Sequence, residues 1–83
     1  MPRIDEFMAF IEYISDHRNH TIQDIAHEIG VSTRTIKRYK AYADYLNFEI
    51  KSQKGRYAHY CLYSFPKKYE FMKILEKKYK EDN

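Results

Sequence analysis

Glycine, proline and cysteine are all scarce in this chain. Its 83 residues include two Gly, two Pro and one Cys, and there is no Trp. Two glycines cannot supply a glycine-rich phosphate-binding loop, and the single Cys61 can form neither an internal disulfide nor a cysteine-based metal site. The sequence shows neither a signal peptide nor an apolar run close to the roughly 20 residues that cross a bilayer. We therefore predict a protein of the reducing cytoplasm without a membrane partner.

Aromatic residues, in contrast, are plentiful. Nine Tyr and five Phe account for 17% of the chain, within a hydrophobic fraction of 43%. Large aromatic side chains bury much surface per residue, which matters because a domain of this size buries only somewhat more than about 60% of its unfolded surface. We predict one small globular domain.

Charge is distributed unevenly along the chain. Residues 1–30 hold two basic and six acidic side chains, a net charge of −4, whereas residues 31–57 hold seven basic and two acidic ones, a net charge of +5. Residues 66–83 hold six basic and four acidic side chains, a net charge of +2. A positive middle segment next to a negative first segment predicts that one face attracts a polyanion.

The range 21–45 has the pattern of a helix-turn-helix. Four small or apolar residues recur with the helical period ahead of the turn: Ile22, Ile25, Ala26 and Ile29. Gly30 permits the left-handed turn between the two helices, and Thr21 and Ser32 are the predicted N-caps of the first and second helix. In a helix-turn-helix the second helix can lie in the major groove of DNA.

The first exposed turns of that second helix carry residues suited to DNA. Arg and Lys donate to guanine edges or phosphates, and hydroxyl groups bond to either. The predicted DNA-contacting residues of this helix are Ser32, Thr33, Arg34, Thr35, Lys37 and Arg38. Thr21 and Gln23, at the start of the preceding helix, could hold a phosphate beside them. The alternative is a solvated helix face, since charged runs usually just face water.

These residues resemble a known family. The set Ala26, Gly30-Val31-Ser32 and Thr35-Ile36-Lys37-Arg38 is similar to the helix-turn-helix of DeoR-type repressors and of the related winged-helix domains of biotin-ligase repressors. The likeness covers roughly residues 4–62, and it implies a winged-helix fold that binds DNA. Lys40 stands where the family usually has an apolar residue, so Tyr39 or Ala43 is expected to fill that space.

The flanking segments predict the rest of a winged helix. A first helix is expected from Pro2 to Ser15, with its apolar stripe formed by Ile4, Phe7, Met8, Ile11 and Ile14. After a left-handed stop at Asn47, period-two alternation predicts a strand over 46–52 and a returning strand over 57–63, whose inward residues are Ala58, Tyr60 and Leu62. Lys54 and Arg56, in the turn 53–56, could reach the DNA backbone or minor groove. A polar turn needed only for solubility is the alternative.

Residues 66–80 have the pattern of an amphipathic helix. The apolar stripe consists of Phe71, Met72, Leu75 and Tyr79. This helix could cover the domain's own core, pair with its twin in a homodimer, or rest on an anionic membrane. We favour the first two uses, because the stripe is short for a membrane-binding helix.

The chain shows no constellation typical of an enzyme or a metal site. His17 and His20 lie in a predicted loop without cysteine partners, and His27 and His59 fall in other elements. Asp24 and Glu28 share a helix side with no nucleophile near them. We predict no catalysis, no cofactor and no metal.

The resulting prediction is a mainly α, small α+β protein. A winged helix-turn-helix domain of three helices and a two-stranded hairpin spans residues 1–64, and an added amphipathic helix spans residues 65–83. Its predicted function is sequence-specific binding of double-stranded DNA as a homodimeric transcriptional repressor. One alternative is an architectural DNA-binding factor of a mobile element, such as an excisionase or replication accessory. Another is a protein-interaction module, which would need an exposed aromatic patch of Tyr13, Tyr42, Tyr45 and Tyr63.

Overall fold

Three α helices and a small antiparallel sheet form the fold, in a computed structural model that describes residues 3–55 and 58–73. The helices are α1 (Ile4–Ile14), α2 (Ile22–Ile29) and α3 (Thr33–Tyr45). The strands are β1 (His20–Thr21), β2 (Glu49–Gln53) and β3 (His59–Ser64), and a 3-10 helix (Lys67–Lys73) follows them. This order confirms the predicted winged helix-turn-helix of small α+β class.

α1 buries a face slightly rotated from the predicted one. Its buried residues are Phe7, Phe10, Ile11 and Ile14. Ile4, predicted to join the stripe, is 75% exposed because it lies at the N-terminal end of the helix, beyond the core. Phe10 is fully buried in its place and packs against Tyr39 and Tyr60.

The turn between α2 and α3 follows the sequence closely. The Thr21 side chain accepts a hydrogen bond from the Asp24 backbone N–H at 3.1 Å, and the Ser32 side chain accepts one from the Thr35 N–H at 3.1 Å. Gly30 takes a left-handed conformation with φ of 83°, and its N–H donates to the Ala26 carbonyl at 2.8 Å. Both predicted N-caps and the glycine turn are confirmed.

The sheet has three strands in the order β1-β3-β2, not the predicted two. β1 pairs with β3 through His20 opposite Tyr60 and Thr21 opposite His59. The sequence predicts a polar loop before Thr21, because a strand of two residues is too short to show alternation. The extra pairing ties the start of α2 to the sheet, so Thr21 is both a strand residue and a helix cap.

The end of α3 sets where the wing, the hairpin of β2 and β3, begins. Asn47 has φ of 71°, which confirms the predicted left-handed stop. The Asn47 N–H donates to the Asp44 carbonyl and the Phe48 N–H to the Ala43 carbonyl, both at 3.0 Å. Because residues 46–48 form this turn, β2 starts at Glu49, whereas the predicted strand started at Leu46.

The core lies between the three helices and the inner face of the sheet. Tyr39 and Ala43 are both buried and fill the space expected to be left by the polar Lys40. Phe7 makes edge-on contacts with Tyr39, Tyr42 and Phe48. On β3, Tyr60 and Leu62 point inward as predicted, while Ala58, which precedes the strand, is only half-buried.

The described part of the predicted C-terminal helix is a 3-10 segment with a kink at Tyr69, and not a continuous α helix. It starts with a bond from the Tyr69 N–H to the Pro66 carbonyl at 2.8 Å, which closes a three-residue turn. The Tyr69 ring stacks on Phe48 with centroids 5.6 Å apart, so this segment covers the edge of the core. The predicted continuation through residue 80 lies outside the described residues.

Candidate nucleic-acid interface

The outer face of α3 is basic and exposed. Ile36, Tyr39 and Ala43 anchor the opposite face in the core. Thr33, Arg34, Lys37 and Arg38 are consequently turned toward solvent, as predicted. Within residues 3–55 and 58–73, none of the three cations among them forms an ion pair. Their donors are therefore available to an external anion.

The first turn of α3 uses some of the predicted contact groups internally. The Ser32 and Thr35 hydroxyl oxygens are 3.0 Å apart, and Ser32 also caps the helix. Ser32 is nevertheless exposed, whereas Thr35 is half-buried. The Thr33 side chain is exposed, and its hydroxyl takes part in neither of these two hydrogen bonds. At the start of α2, Thr21 is half-buried and engaged as a cap, and Gln23 is exposed.

The hairpin turn adds a further cation beside α3. Lys54 is exposed next to Gly55, whose φ of 125° belongs to a conformation that favours glycine. Arg56, the other predicted contact of the turn, lies outside the described residues. The wing therefore offers at least one ammonium group on its described side.

A groove joins the helix to the wing. Its volume is about 470 Å³, and its lining includes Lys37 and Lys40 from α3, Ser52 and Gln53 from β2, and Lys54 from the turn. Ile22, Ala58 and Tyr60 form its apolar part. Lys40 was missed by sequence reasoning, although its place one turn after Lys37 on α3 is a signal that could have indicated it.

An acidic groove of about 740 Å³ lies along α1 and α2. Its carboxylates are Asp5, Glu6, Glu12, Asp16 and Glu28. Burial raises the pKa of Tyr13, which lines this groove, and the negative charges of Glu28, Asp24 and Asp16 raise it further. Although it is the larger groove, its charge opposes the approach of a polyanion, so α3 and the wing are the candidate nucleic-acid interface.

A family model described as "HTH domain" matches residues 8–60. The chain belongs to the HTH domain family. The match extends from α1 into the first two residues of β3 and so contains the whole helix-turn-helix and β2, which confirms the predicted resemblance to winged helix-turn-helix DNA-binding domains. Comparisons of this HTH domain protein with curated proteins and with solved structures find no match.

The described residues of this HTH domain protein show neither a metal-binding cluster nor a membrane-spanning helix. In the part of the chain that the structure describes, no group of three or more His, Cys, Asp or Glu side chains could hold a metal ion. His20 Nε2 bonds to Asp16 Oδ1 at 2.8 Å, and His17 Nδ1 lies 2.7 Å from the Leu62 carbonyl. His20 thus joins β1 to the loop that follows α1, and His17 joins this loop to β3. None of the described helices is both long and apolar enough to span a membrane.

Proposed function

We propose that this protein binds double-stranded DNA in a sequence-dependent way, as a small transcriptional repressor of the cytoplasm. The observation that carries the proposal is the arrangement of α3, whose inner face is fixed in the core while Arg34, Lys37 and Arg38 extend outward without an ion-pair partner among the described residues. A rigid helix that presents free cations suits insertion into the major groove.

The proposed roles follow from position. Arg34, in the first turn of α3, reads base edges together with Thr33, while Lys37 and Arg38 contact bases or the flanking phosphates. Lys54 and Arg56 of the wing contact the backbone or the adjacent minor groove, and Gln23 with Thr21 approaches a phosphate at the start of α2.

A homodimer completes the proposal. One recognition helix reads only a few base pairs, whereas two copies related by twofold symmetry read half-sites one helical turn apart, about 10 base pairs. We therefore expect a palindromic target. Such a site overlapping a promoter would make the protein a repressor, whereas an array of sites at an origin or recombination site would indicate the architectural role.

Selection of binding sites from random duplexes tests the proposal. We expect an enriched palindrome, and we expect the Arg34→Ala, Lys37→Ala double variant to lose it. The Arg3→Ala, Lys68→Ala double variant is the matched control, because it removes the same charge from exposed positions outside the proposed interface. Equal binding of the wild type and the Arg34, Lys37 variant to the selected site would contradict the proposal that these residues of α3 read the bases.

Two exposed aromatic residues favour a second candidate, a protein-interaction module. Tyr45 is 80% exposed and Tyr63 is 63% exposed. Tyr13 and Tyr42, also required for the predicted patch, are half-buried, and Tyr42 packs on Phe7. This candidate expects Tyr45→Ala to abolish an interaction that the Arg34→Ala, Lys37→Ala variant retains.

A further inference from the structure

Lys40 differs from the other cations of α3 in where it lies and in what it contacts. It lines the groove between α3 and the wing, together with Lys37 and Lys54. Its side chain is only 20% exposed, and its ammonium group donates to Asp44 Oδ2 at 2.6 Å. Neither Lys37 nor Lys54 has an ion-pair partner within residues 3–55 and 58–73, so Lys40 is the groove lysine with an internal counter-ion there.

The groove has the chemistry of a phosphodiester site. Three lysine side chains line it, and Ser52 and Gln53 add neutral polar residues to the lining. Ammonium–phosphate hydrogen bonds are charge-assisted and stronger than neutral ones. Because α3 and the wing form its two sides, a DNA strand that follows the outer face of α3 would pass this groove.

The Asp44 carboxylate acts electrostatically on a residue that lines the groove. Burial raises the pKa of Tyr60, one of the lining residues, and the Asp44 carboxylate raises it further. Asp44 itself is 46% exposed, so its pair with Lys40 is solvated and weak enough to exchange for another anion. Asp44 also repels any phosphate that approaches Lys40.

We propose that Lys40 is a further DNA-contacting residue and that Asp44 competes with a backbone phosphate for its ammonium group. On binding, Lys40 exchanges Asp44 for the phosphate, so that Asp44 limits the affinity for DNA of any sequence. The inference rests on the proposed function, because it requires a DNA strand along α3.

A double-mutant cycle tests this exchange. Binding of a labelled random-sequence duplex is measured for the wild type, Asp44→Asn, Lys40→Met and the double variant, between about 50 and 200 mM salt. Asp44→Asn is expected to tighten binding about two- to fivefold at the lowest salt, since exposed ion pairs are worth up to about a fivefold change in an equilibrium constant. Lys40→Met is expected to reduce the slope of log K against log salt by about 0.9, the contribution of one phosphate contact.

The decisive result is the dependence of one substitution on the other. The exchange predicts that Asp44→Asn tightens binding clearly less in the Lys40→Met background than in the wild type, because only the direct repulsion of phosphate by Asp44 remains there. Equal tightening in both backgrounds would overturn it, because Asp44 would then act by direct repulsion alone. Glu12→Gln is the matched control: it removes the same charge from the acidic groove, and tightening equal to that of Asp44→Asn would overturn the inference in favour of net charge.

Two further outcomes separate this inference from the proposed function. If the wild type binds the duplex and the cycle shows no coupling, the Lys40 exchange is wrong while the DNA-binding function stands. If the wild type binds neither this duplex nor a selected one, both are wrong. Circular dichroism melting of each variant checks the fold, and Lys40→Gln, which keeps a polar side chain, replaces Lys40→Met if the latter unfolds.

Discussion

Tyr39 connects the inner side of α3 to α1. Its ring is buried between Phe7 and Phe10, and its hydroxyl donates a hydrogen bond to the Glu6 carboxylate. A helix whose outer face reads DNA must be held at a fixed rotation. This bond joins α3 to α1 at the residue that directly follows Arg38 in the sequence. In the proposed complex, the aromatic core of α3 thereby contributes to DNA binding as well as to stability.

We expect Tyr39→Phe to lower the free energy of unfolding by about 1 kcal/mol, because it removes one hydrogen bond to a charged group that still reaches water. The Glu6 side chain is 28% exposed, so it is not left as a buried, unpaired charge. Urea unfolding measures the change. Glu6→Gln is the control: its amide oxygen still accepts from Tyr39 and should cost less. A Tyr39→Phe protein as stable as the wild type would contradict a stabilising role for the hydrogen bond between Tyr39 and Glu6.

Single residues were predictable where a local rule acts on them. Gly30 and Asn47 occupy left-handed positions, and Ser32 caps a helix, because each of these requirements is set by backbone geometry within a few residues. The place of Lys40 one turn after Lys37 is visible in the sequence, but its contact with the groove is not. It depends on where the hairpin folds back beside α3, which is a long-range property of the fold.

At the scale of elements, α3 and the wing are expected to make different contributions to DNA binding. In the proposed complex, α3 presents Arg34 to base edges, whereas Lys54 on the hairpin turn reaches the backbone, which has the same chemistry in every sequence. The two elements can be separated by comparing a selected site with a scrambled duplex.

Arg34→Ala is expected to cost about 1 to 3 kcal/mol on the selected site and much less on the scrambled one, which relaxes the base preference. Lys54→Ala should weaken both duplexes alike and reduce the salt slope by about one phosphate contact. Fluorescence anisotropy titrations at several salt concentrations give both quantities. Equal losses on the two duplexes for Arg34→Ala would assign this residue to the backbone instead.

The elements themselves were predictable to different degrees. α2 and α3 have a capping residue at each start and apolar spacing between, so their pattern is complete within the sequence. β1 has two residues and pairs with a strand nearly 40 positions later in the chain, so its existence depends on tertiary packing. The rotation of α1 was missed for a related reason: Ile4 and Phe10 are both apolar, and only the extent of the core distinguishes them.

At the scale of the whole molecule, charge is separated between two sides. The acidic groove follows α1 and α2, while the cations of α3 and the wing surround the other groove. Such a separation orients the protein as it approaches DNA, because one side is attracted and the other repelled. The uneven charge of the sequence predicted this polarity, since each helix keeps its own segment's charge on its exposed face.

The folded molecule should lose stability at alkaline pH. Burial raises the pKa of Tyr13, Tyr39 and Tyr60 above the ordinary tyrosine value of about 10, and the Glu6 hydrogen bond adds to the effect at Tyr39. Above that value the unfolded chain releases protons that the folded protein retains. Stability from this source is therefore complete below about pH 10 and declines as pH rises toward the folded-state pKa values.

Urea unfolding at about pH 8 and about pH 10.5 measures this decline. Tyr60→Phe should reduce the difference in unfolding free energy between the two pH values, because it removes one of the three groups. Leu62→Val is the control, since it destabilises the same strand by about 1 kcal/mol without removing an ionisable group, and it should leave the pH difference unchanged. An unfolding free energy that stays constant or rises between the two pH values would show that these tyrosines ionise as readily in the folded protein as in the unfolded chain.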